Sequence, residues 1–199
     1  DAVPASVHQV LSDLSQAEPG DEPPPGIVTI VGDNNAAVDA AAEAARADGY
    51  SVEVVWREQV GEAADLGRAW VTLCHDDEGD AEVLLGGGEA TVTVKGDGIG
   101  GRNTEFALAA ALELDALDID NWVVASLATD GEDGPTGAAG AIADAGTVQR
   151  AADAGVDAKV ALANNDSLRV FEAAGGVVKP GPTGTNVNDI YLAVRLRAE

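Results

Sequence analysis

Residues 90–106 constrain the fold of this chain more than any other stretch. Their sequence, ATVTVKGDGIGGRNTEF, starts as a short strand of alternating threonine and valine, continues into a turn with four glycines and ends in an apolar helix. Glycine permits positive φ and lets a ligand approach the backbone closely. The first N–H groups of a helix have no intrahelical acceptor and favour negative charge. The segment therefore predicts a strand, a turn and a helix that together cradle an anion.

The predicted helix begins close to an arginine, Arg102, in a chain with 11 Lys plus Arg against 35 Asp plus Glu. The helix dipole disfavours a cation at a helix N-terminus. A guanidinium offers a planar fork of donors that matches carboxylate and phosphate groups. We therefore predict that Arg102 binds an anion together with Gly98, Gly100 and Gly101 of the preceding turn.

Strands and helices alternate along the rest of the chain. Runs that predict strands occupy residues 27–31, 51–56, 82–85, 90–95, 122–128 and 189–197. Runs with helical spacing of apolar residues occupy residues 6–14, 36–48, 62–75, 104–114, 144–154 and 166–174. The alternation near the N-terminus favours a βαβ unit with a parallel sheet covered by helices, so the chain is expected to have an α/β fold.

An acidic stretch at residues 76–80 follows the third predicted helix, and the composition changes there. We interpret this stretch as a hinge. Residues 1–80 would then be the C-terminal remnant of a Rossmann-like domain plus the hinge, and residues 81–199 a second α/β domain. The chain contains no methionine, so we expect it to be a processed or excised piece.

The net charge of −24 argues against two classes of partner. Nucleic acids and anionic membrane surfaces both need a basic footprint, which this chain lacks. The acidic residues are spread along the chain, which predicts a halophilic protein. In molar salt the Debye length falls to roughly 3 Å, so dense surface carboxylates stop repelling one another. An acidic mesophilic protein is the alternative.

The sequence predicts a cytoplasmic protein. No apolar stretch approaches the roughly 20 residues of a membrane span. The N-terminus lacks the basic and apolar regions of a signal peptide. A single cysteine excludes an internal disulfide and fits a reducing compartment.

The loop at residues 129–136, TDGEDGPT, follows a predicted buried strand and carries three carboxylates and two hydroxyls. Magnesium usually takes one or two carboxylates together with phosphate oxygens and water, so Asp130 and Asp133 would suffice to bind it. Thr136 closes the loop. A plain acidic turn is the alternative interpretation.

A third glycine-rich loop, residues 181–189, leads into the last predicted strand. It contains Thr185, Asn186, Asn188 and Asp189. These side chains can orient a polar ligand, or they can bond the neighbouring backbone. Both interpretations stay open.

The glycine turn also allows a dinucleotide interpretation. Gly96, Gly98 and Gly101 match the G-x-G-x-x-G fingerprint between a strand and a helix, which would indicate a nicotinamide-dependent reductase. The signal is weak, because the preceding strand alternates instead of being fully apolar and glycine is abundant. A tight turn with an exposed arginine is a third interpretation.

Five motifs in sequence order carry a family resemblance. They are GGEATVTV at 87–94, GGRNTE at 100–105, ATDGEDGPT at 128–136 with Ala139 and Gly140, NDS at 165–167 and GPTGTNVND at 181–189. This set closely resembles the MOFRL domain over residues 82–195. That domain forms the C-terminal part of class II glycerate 2-kinases, which are often labelled hydroxypyruvate reductases. Residues 1–80 loosely resemble the end of the kinases' Rossmann-like domain.

The resemblance implies a mixed sheet with helices on both faces, preceded by a partial Rossmann-like βαβ segment. It implies ATP-dependent transfer of a phosphoryl group to the 2-hydroxyl of D-glycerate, with magnesium (Mg2+), in a cleft between two domains. Arg102, Asp130 and Asp133 would be catalytic, and the two aspartates would bind the metal. Residues that would bind substrate or nucleotide are Gly98, Gly100, Gly101, Asn103, Thr136, Thr185, Asn186, Asn188 and Asp189.

The resemblance also implies that the other domain contributes a lysine to the cleft. Residues 1–94 contain no lysine, so we expect the chain to be inactive by itself. A homodimer is expected. Two other functions stay open at this point: a hydroxypyruvate reductase that uses NAD(P)H, and a noncatalytic module that binds a small molecule.

Overall fold

The chain consists of two units, residues 1–31 and residues 32–199. A computed structural model describes residues 4–16, 26–27, 29–77, 79 and 81–197. The smaller unit contains helix α1, Ala5–Gln16. The strand predicted at residues 27–31 is wrong at the residues described there, since none of them belongs to a strand. Ile27 and Val31 are 97% and 98% exposed, because no described strand pairs with this run.

The larger unit contains six α-helices, a short 3-10 helix at Gly134–Thr136 and six strands among its described residues. The helices are α2 (Asn34–Ala47), α3 (Ala63–Asp76), α4 (Arg102–Ala116), α5 (Thr147–Asp153), α6 (Ala158–Ala163) and α7 (Ser167–Ala174). The strands are β1 (Val52–Glu62), β2 (Val83–Thr91), β3 (Trp122–Ala128), β4 (Gly140–Ala143), β5 (Val177–Val178) and β6 (Asp189–Arg195). The strand order is β1-β2-β6-β3-β4-β5. β1 and β2 are parallel and the other neighbours antiparallel, so the predicted mixed sheet is confirmed.

The parallel βαβ unit consists of β1, α3 and β2, so it begins at the strand that was predicted to end it. Its second strand contains the glycines of residues 86–88, which separate the strands predicted at 82–85 and 90–95. A Cβ at Gly88 would lie 1.9 Å from the carbonyl oxygen of Gln59, and one at Gly86 3.0 Å from Trp56 Cβ. These glycines therefore permit close packing inside a strand instead of forming a turn. Residues 92–95 are not in a strand.

Helices cover both faces of the sheet, as predicted. Residues 103–111 of α4 are all buried, since α4 contacts the sheet, α3 and the group α5 to α7. Phe106 of α4 stacks on Tyr191 of β6 with ring centroids 4.6 Å apart. On the opposite face, Val38 and Ala42 of α2 pack against β2 and β6. The two apolar layers fix the sheet and thereby the ends of its strands.

The acidic stretch interpreted as a hinge lies between α3 and β2. β1, which precedes it, and β2, which follows it, are hydrogen-bonded neighbours in one sheet. A boundary at residue 80 would therefore separate two paired strands. The division into residues 1–80 and 81–199 stays a prediction. In the part of the chain that the structure describes, no helix has the length and apolar character needed to cross a bilayer.

Several strand ends collect at one edge of the sheet. β1 and β2 end together, with Glu62 paired to Thr91. β6 starts beside the end of β3, since Asp189 pairs with Ala128. Helix α4 starts at the same place, because Arg102 contacts Asp189. We call this the site edge: the ends of β1, β2 and β3 together with the starts of β6 and α4.

Candidate active site

Three loops meet at the site edge, and they are the three glycine-rich loops that the sequence indicates. Arg102, at the end of the first loop, binds Asp189, at the end of the third. The second loop contacts the third where Asn186 Nδ2 donates to Asp130 Oδ2 at 3.2 Å. Thr129 donates its backbone N–H to Asn188 at 3.0 Å. The predicted site residues are therefore brought together from three separate segments of the chain, which begin at Gly98 and end at Asp189.

Arg102 and Asp189 form a bidentate ion pair. Nε of Arg102 donates to Asp189 Oδ2, and Nη2 donates to Asp189 Oδ1, both at 2.8 Å. The Asp189 side chain is fully buried, whereas the Arg102 side chain is 24% exposed. Burial alone would lower the pKa of the guanidinium, but the Asp189 carboxylate outweighs burial and raises it. Arg102 is therefore a permanently charged group in a fixed orientation.

A buried hydrogen-bond chain holds Asp189 in turn. Asn103 Nδ2 donates to Asp189 Oδ1 at 2.9 Å, and Asn103 Oδ1 accepts from the hydroxyl of Ser126 on β3. Burial raises the pKa of Asp189 against the opposing hydrogen bonds from Arg102 and Asn103. Asn103 is fully buried. Its amide therefore orients the ion pair and does not face a ligand.

Asp133 caps the N-terminus of α4 from another loop. Its Oδ1 accepts from the backbone N–H of Asn103 at 2.8 Å, and its Oδ2 from the backbone N–H of Thr104 at 2.8 Å. The Thr104 hydroxyl adds a third bond to Oδ2 at 2.9 Å. The anion cradle predicted at this helix start thus exists, but it holds a carboxylate of the chain itself. The metal role predicted for Asp133 does not fit this fully buried position.

Other residues of the chain pack against the glycine turn and occupy the space beside it. None of Gly96, Gly98, Gly100 and Gly101 has a positive φ, so the turn does not use the left-handed conformation that glycine permits. A Cβ at Gly98 would lie 2.4 Å from Asp166 Cβ, and one at Gly100 2.4 Å from Ser167 Oγ. The glycines therefore allow the turn to pack against the segment between α6 and α7.

The same packing uses the N–H groups of the turn. Asn165 Oδ1 accepts from Lys95 N at 2.7 Å and from Gly96 N at 3.0 Å. Gly98 N donates to the carbonyl of Asn164 at 3.0 Å. Backbone donors that a dinucleotide pyrophosphate would need are thus already bonded within the protein.

Asp130 is a partly accessible carboxylate of the second loop, in which Glu132 is exposed and Asp133 is buried. Oδ1 of Asp130 accepts from the backbone N–H of Glu132 at 2.9 Å, and its Oδ2 accepts from Asn186. Asp130 is partly exposed, and Thr185 and Asn186 beside it are exposed. Among the residues that the structure describes, no group of three or more His, Cys, Asp or Glu side chains could hold a metal ion. Asp130 therefore offers one partly exposed carboxylate, and the other ligands of a metal ion would come from elsewhere.

Thr136 and Asn188 have structural contacts. The Thr136 hydroxyl donates to the backbone carbonyl of Asp133 at 2.8 Å and is buried. Asn188 adopts a φ of 66°, a conformation that asparagine tolerates better than most residues. Its carbonyl accepts from the Thr129 hydroxyl at 2.7 Å. Both residues shape the loops that carry Asp130 and Asn186.

A family model, described as the MOFRL family, matches residues 82–189, which is more than half of the chain. The chain belongs to the MOFRL family. Every site residue that the sequence predicts lies inside the matched range. All three loops at the site edge therefore lie in the part of the chain that the MOFRL family model matches.

Curated proteins and solved structures resemble this MOFRL chain over most of its length. It is 36% identical over 173 residues to the D-glycerate 2-kinase of Thermotoga maritima. The matched region is 84% of this chain and 41% of that protein. The chain is 39% identical over 173 residues to a putative hydroxypyruvate reductase of Agrobacterium vitis, with 83% and 39% covered. The crystal structure of a glycerate kinase from Thermotoga maritima matches with a TM-score of 0.82 and 32% identity, covering 96% of this chain and 50% of that one. The chain spans about two fifths of the length of these curated relatives.

Two residues support the MOFRL site without having been predicted to do so. Asn34 at the start of α2 donates to the carbonyls of Val187 and Asp189, at 2.8 and 3.0 Å, and so anchors the third loop. From the sequence, the turn at residues 32–35 allows either a ligand contact or a helix cap, and Asp33 provides the cap by accepting from Ala36 N at 2.8 Å. The role of Ser126 could not be predicted from the sequence, because a single serine inside an apolar strand does not indicate which residue it bonds.

Gly101→Ala is expected to lower the free energy of unfolding of the larger unit by about 1–3 kcal/mol, the usual cost of overpacking. A Cβ at Gly101 would lie 2.3 Å from the backbone oxygen of Asp133 and 2.5 Å from its Oδ1. Urea unfolding followed by circular dichroism measures the change. Gly32→Ala is the matched control, since a Cβ there meets nothing within 4 Å. Equal stability of the two variants would contradict the packing role of Gly101.

Proposed function

We propose that this chain forms one wall of the phosphoryl-transfer site of a glycerate 2-kinase, which phosphorylates the 2-hydroxyl of D-glycerate with ATP. The observation that supports the proposal is the Arg102 guanidinium, clamped by buried Asp189 and partly exposed at the site edge. Phosphoryl transfer needs mainly positioning and neutralisation of charge. A fixed cation beside an accessible carboxylate, Asp130, suits that chemistry. Relatives named glycerate kinase support the choice of substrate.

Arg102 is the proposed anion-binding residue. Asp189 engages Nε and Nη2, which leaves Nη1 as the part of the fork for a substrate carboxylate or a phosphate. Because the clamp fixes the guanidinium, little reorganisation is needed when charge develops in the transition state. Asp189, Asn103 and Ser126 are positioning residues in this scheme, since they act through Arg102.

Asp130 is the proposed magnesium ligand. Magnesium in kinase sites is held by one or two carboxylates plus substrate phosphates, so a single accessible carboxylate fits the ion. When bound, the ion would neutralise charge on the transferred phosphate. Asn186 orients Asp130 by its hydrogen bond to Oδ2. Asp133 is assigned to the cap of α4 instead.

Other predicted residues divide into contacts and supports. We propose that Thr185 and Asn186 contact the substrate or the nucleotide, because they are exposed beside Asp130. Supporting roles at buried or packed positions are proposed for Gly98, Gly100, Gly101, Asn103, Thr136 and Asn188. Inactivity of the isolated chain, a homodimer, the cytoplasm and adaptation to high salt stay predictions.

The reductase alternative has less support from the site. A pyrophosphate needs open backbone donors at the glycine turn, and those of residues 95, 96 and 98 are bonded to the segment around Asn165. β2, the strand before the turn, has a parallel and an antiparallel neighbour, unlike the first strand of a dinucleotide fold. The kinase is therefore the function that the geometry favours.

A fusion protein tests the proposal: this chain joined to the part of the Thermotoga maritima kinase that it does not cover. We expect ATP-dependent conversion of D-glycerate to 2-phosphoglycerate, measured by coupled ADP release and by 31P NMR of the product. Each part alone is the control and is expected to show no turnover. NADH oxidation with hydroxypyruvate would favour the reductase instead. A folded fusion protein that binds glycerate but turns over neither substrate pair would favour the noncatalytic module.

A further inference from the structure

A cavity lies on another part of the surface, and neither Arg102 nor Asp189 lines it. It has a volume of about 590 Å³ and runs along α4 between α3 and α6. Its apolar lining consists of Ala64, Leu112, Ala116, Leu162 and Ala163. Arg102 and Asp130 are not part of the lining. Sites for small molecules typically measure about 300–1,000 Å³ and are mostly apolar with a few polar groups.

Two lysines on this cavity have no ion-pair partner among the described residues. The chain has 11 basic residues and 35 acidic ones, so a basic side chain is expected to find a carboxylate. Eight basic residues do so within 4.0 Å. Lys95 and Lys159 do not, and both line the cavity. Their ammonium groups are the free cations of this surface.

Most acids of the lining already have donors from the chain. Glu62 accepts from the backbone N–H of Thr93 at 2.7 Å and from its hydroxyl at 3.0 Å. Asp65 pairs with Arg68 at 2.9 Å. With three basic and four acidic residues, the lining is close to neutral in a chain of net charge −24.

A buried carboxyl group adds a polar end to the cavity. Glu105 is 4% exposed, and its Oε2 accepts from Asn165 Nδ2 at 3.0 Å. Burial raises the pKa of Glu105, against the opposing effects of that hydrogen bond and of the Lys95 charge. The Glu105 carboxyl is thus already engaged by a donor of the chain, as Glu62 and Asp65 are.

We propose that this cavity binds a small organic anion, whose phosphate or carboxylate group is held by Lys95 and Lys159 and whose apolar part lies on Leu112 and Leu162. The site is separate from the proposed phosphoryl-transfer wall and does not depend on it. Lys95 begins the glycine turn that leads to Arg102, so the two sites share one loop.

Phenyl phosphate is a suitable probe, because it combines an apolar ring with a dianion. Isothermal titration calorimetry of the 199-residue chain is expected to show saturable binding of one equivalent. The K95Q/K159Q double variant is expected to weaken binding at least about tenfold, because charge-assisted hydrogen bonds are roughly twice as strong as neutral ones. Both lysines are exposed, so the variant is expected to fold normally.

The control is Lys179→Gln, which removes the third lysine of the chain, a residue that does not line this cavity. Unchanged affinity in this variant supports the site. No saturable binding, equal affinity in the double variant, or equal weakening by Lys179→Gln would overturn the proposal. Loss of binding in Arg102→Gln with retention in the double variant would also overturn it, since the anion would then be bound at the site edge.

Discussion

Replacing Arg102 with alanine is expected to lower kcat of the fusion protein roughly a hundredfold or more, as for loss of one preorganised charge-stabilising donor. The variant removes the only basic side chain among the site residues that the structure brings together at the site edge. Steady-state kinetics with ATP and D-glycerate measure the change. Arg169→Ala is the matched control, because Arg169 is an exposed arginine on α7 with a loose 3.8 Å ion pair.

Arg102→Ala also leaves the buried Asp189 carboxylate without its partner, which costs stability. Arg102→Lys is therefore measured in parallel, since it keeps the charge but loses the bidentate geometry. We expect Arg102→Lys to fold and still to lose most activity, because a lysine ammonium cannot reproduce the fork. Near-normal kcat in either folded variant would contradict the role of Arg102.

Replacing Asp133 with alanine is expected to lower the free energy of unfolding by about 3–5 kcal/mol. The substitution removes the acceptor of two backbone N–H groups and one hydroxyl at the start of α4, all in a buried position. α4 passes through the centre of the larger unit, so a loss at its N-terminus affects the whole unit. Urea unfolding measures the effect.

Asp130→Ala is the matched control for Asp133→Ala, because both aspartates belong to one eight-residue loop. Asp130 is partly exposed, so its removal is expected to change stability by under about 1 kcal/mol. In the fusion protein the same variant is expected to raise the magnesium concentration required for turnover. If the two variants changed stability equally, the assignment of the cap to Asp133 and of the metal to Asp130 would fail.

Patterns of apolar residues were sufficient to predict most of the larger unit. The strand at residues 122–128 has the predicted limits, and α3 differs from its predicted range by one residue at each end. The glycines of β2 were misleading because their effect depends on Gln59 and Trp56, which approach from another strand. The strand prediction for residues 27–31 was wrong for a related reason. A strand forms only where it pairs with a neighbouring strand, and composition does not show whether such a neighbour exists.

The loops of the candidate site were predicted from the sequence, but the roles expected for Asp133 and Asp189 differ from those that their contacts support. The strand order brings the end of β3 beside the start of β6, and so the loop of Asp130 beside Asp189. Sequence could not separate Asp130 from Asp133, since both are aspartates in one acidic loop. Burial separates them: one carboxylate caps α4, and the other is accessible. Likewise, the sequence predicts that Asp189 contacts a ligand, whereas its buried side chain forms an ion pair with Arg102.

The most direct test of the central claim is a crystal structure of the fusion protein with 2-phosphoglycerate and magnesium. We expect a carboxylate or phosphate of the product to lie within hydrogen-bond distance of Arg102. We also expect Asp130 to contact the metal while Asp133 stays bonded to the start of α4. Product bound away from the site edge, with Arg102 contacting only Asp189, would rule out the proposed role of Arg102.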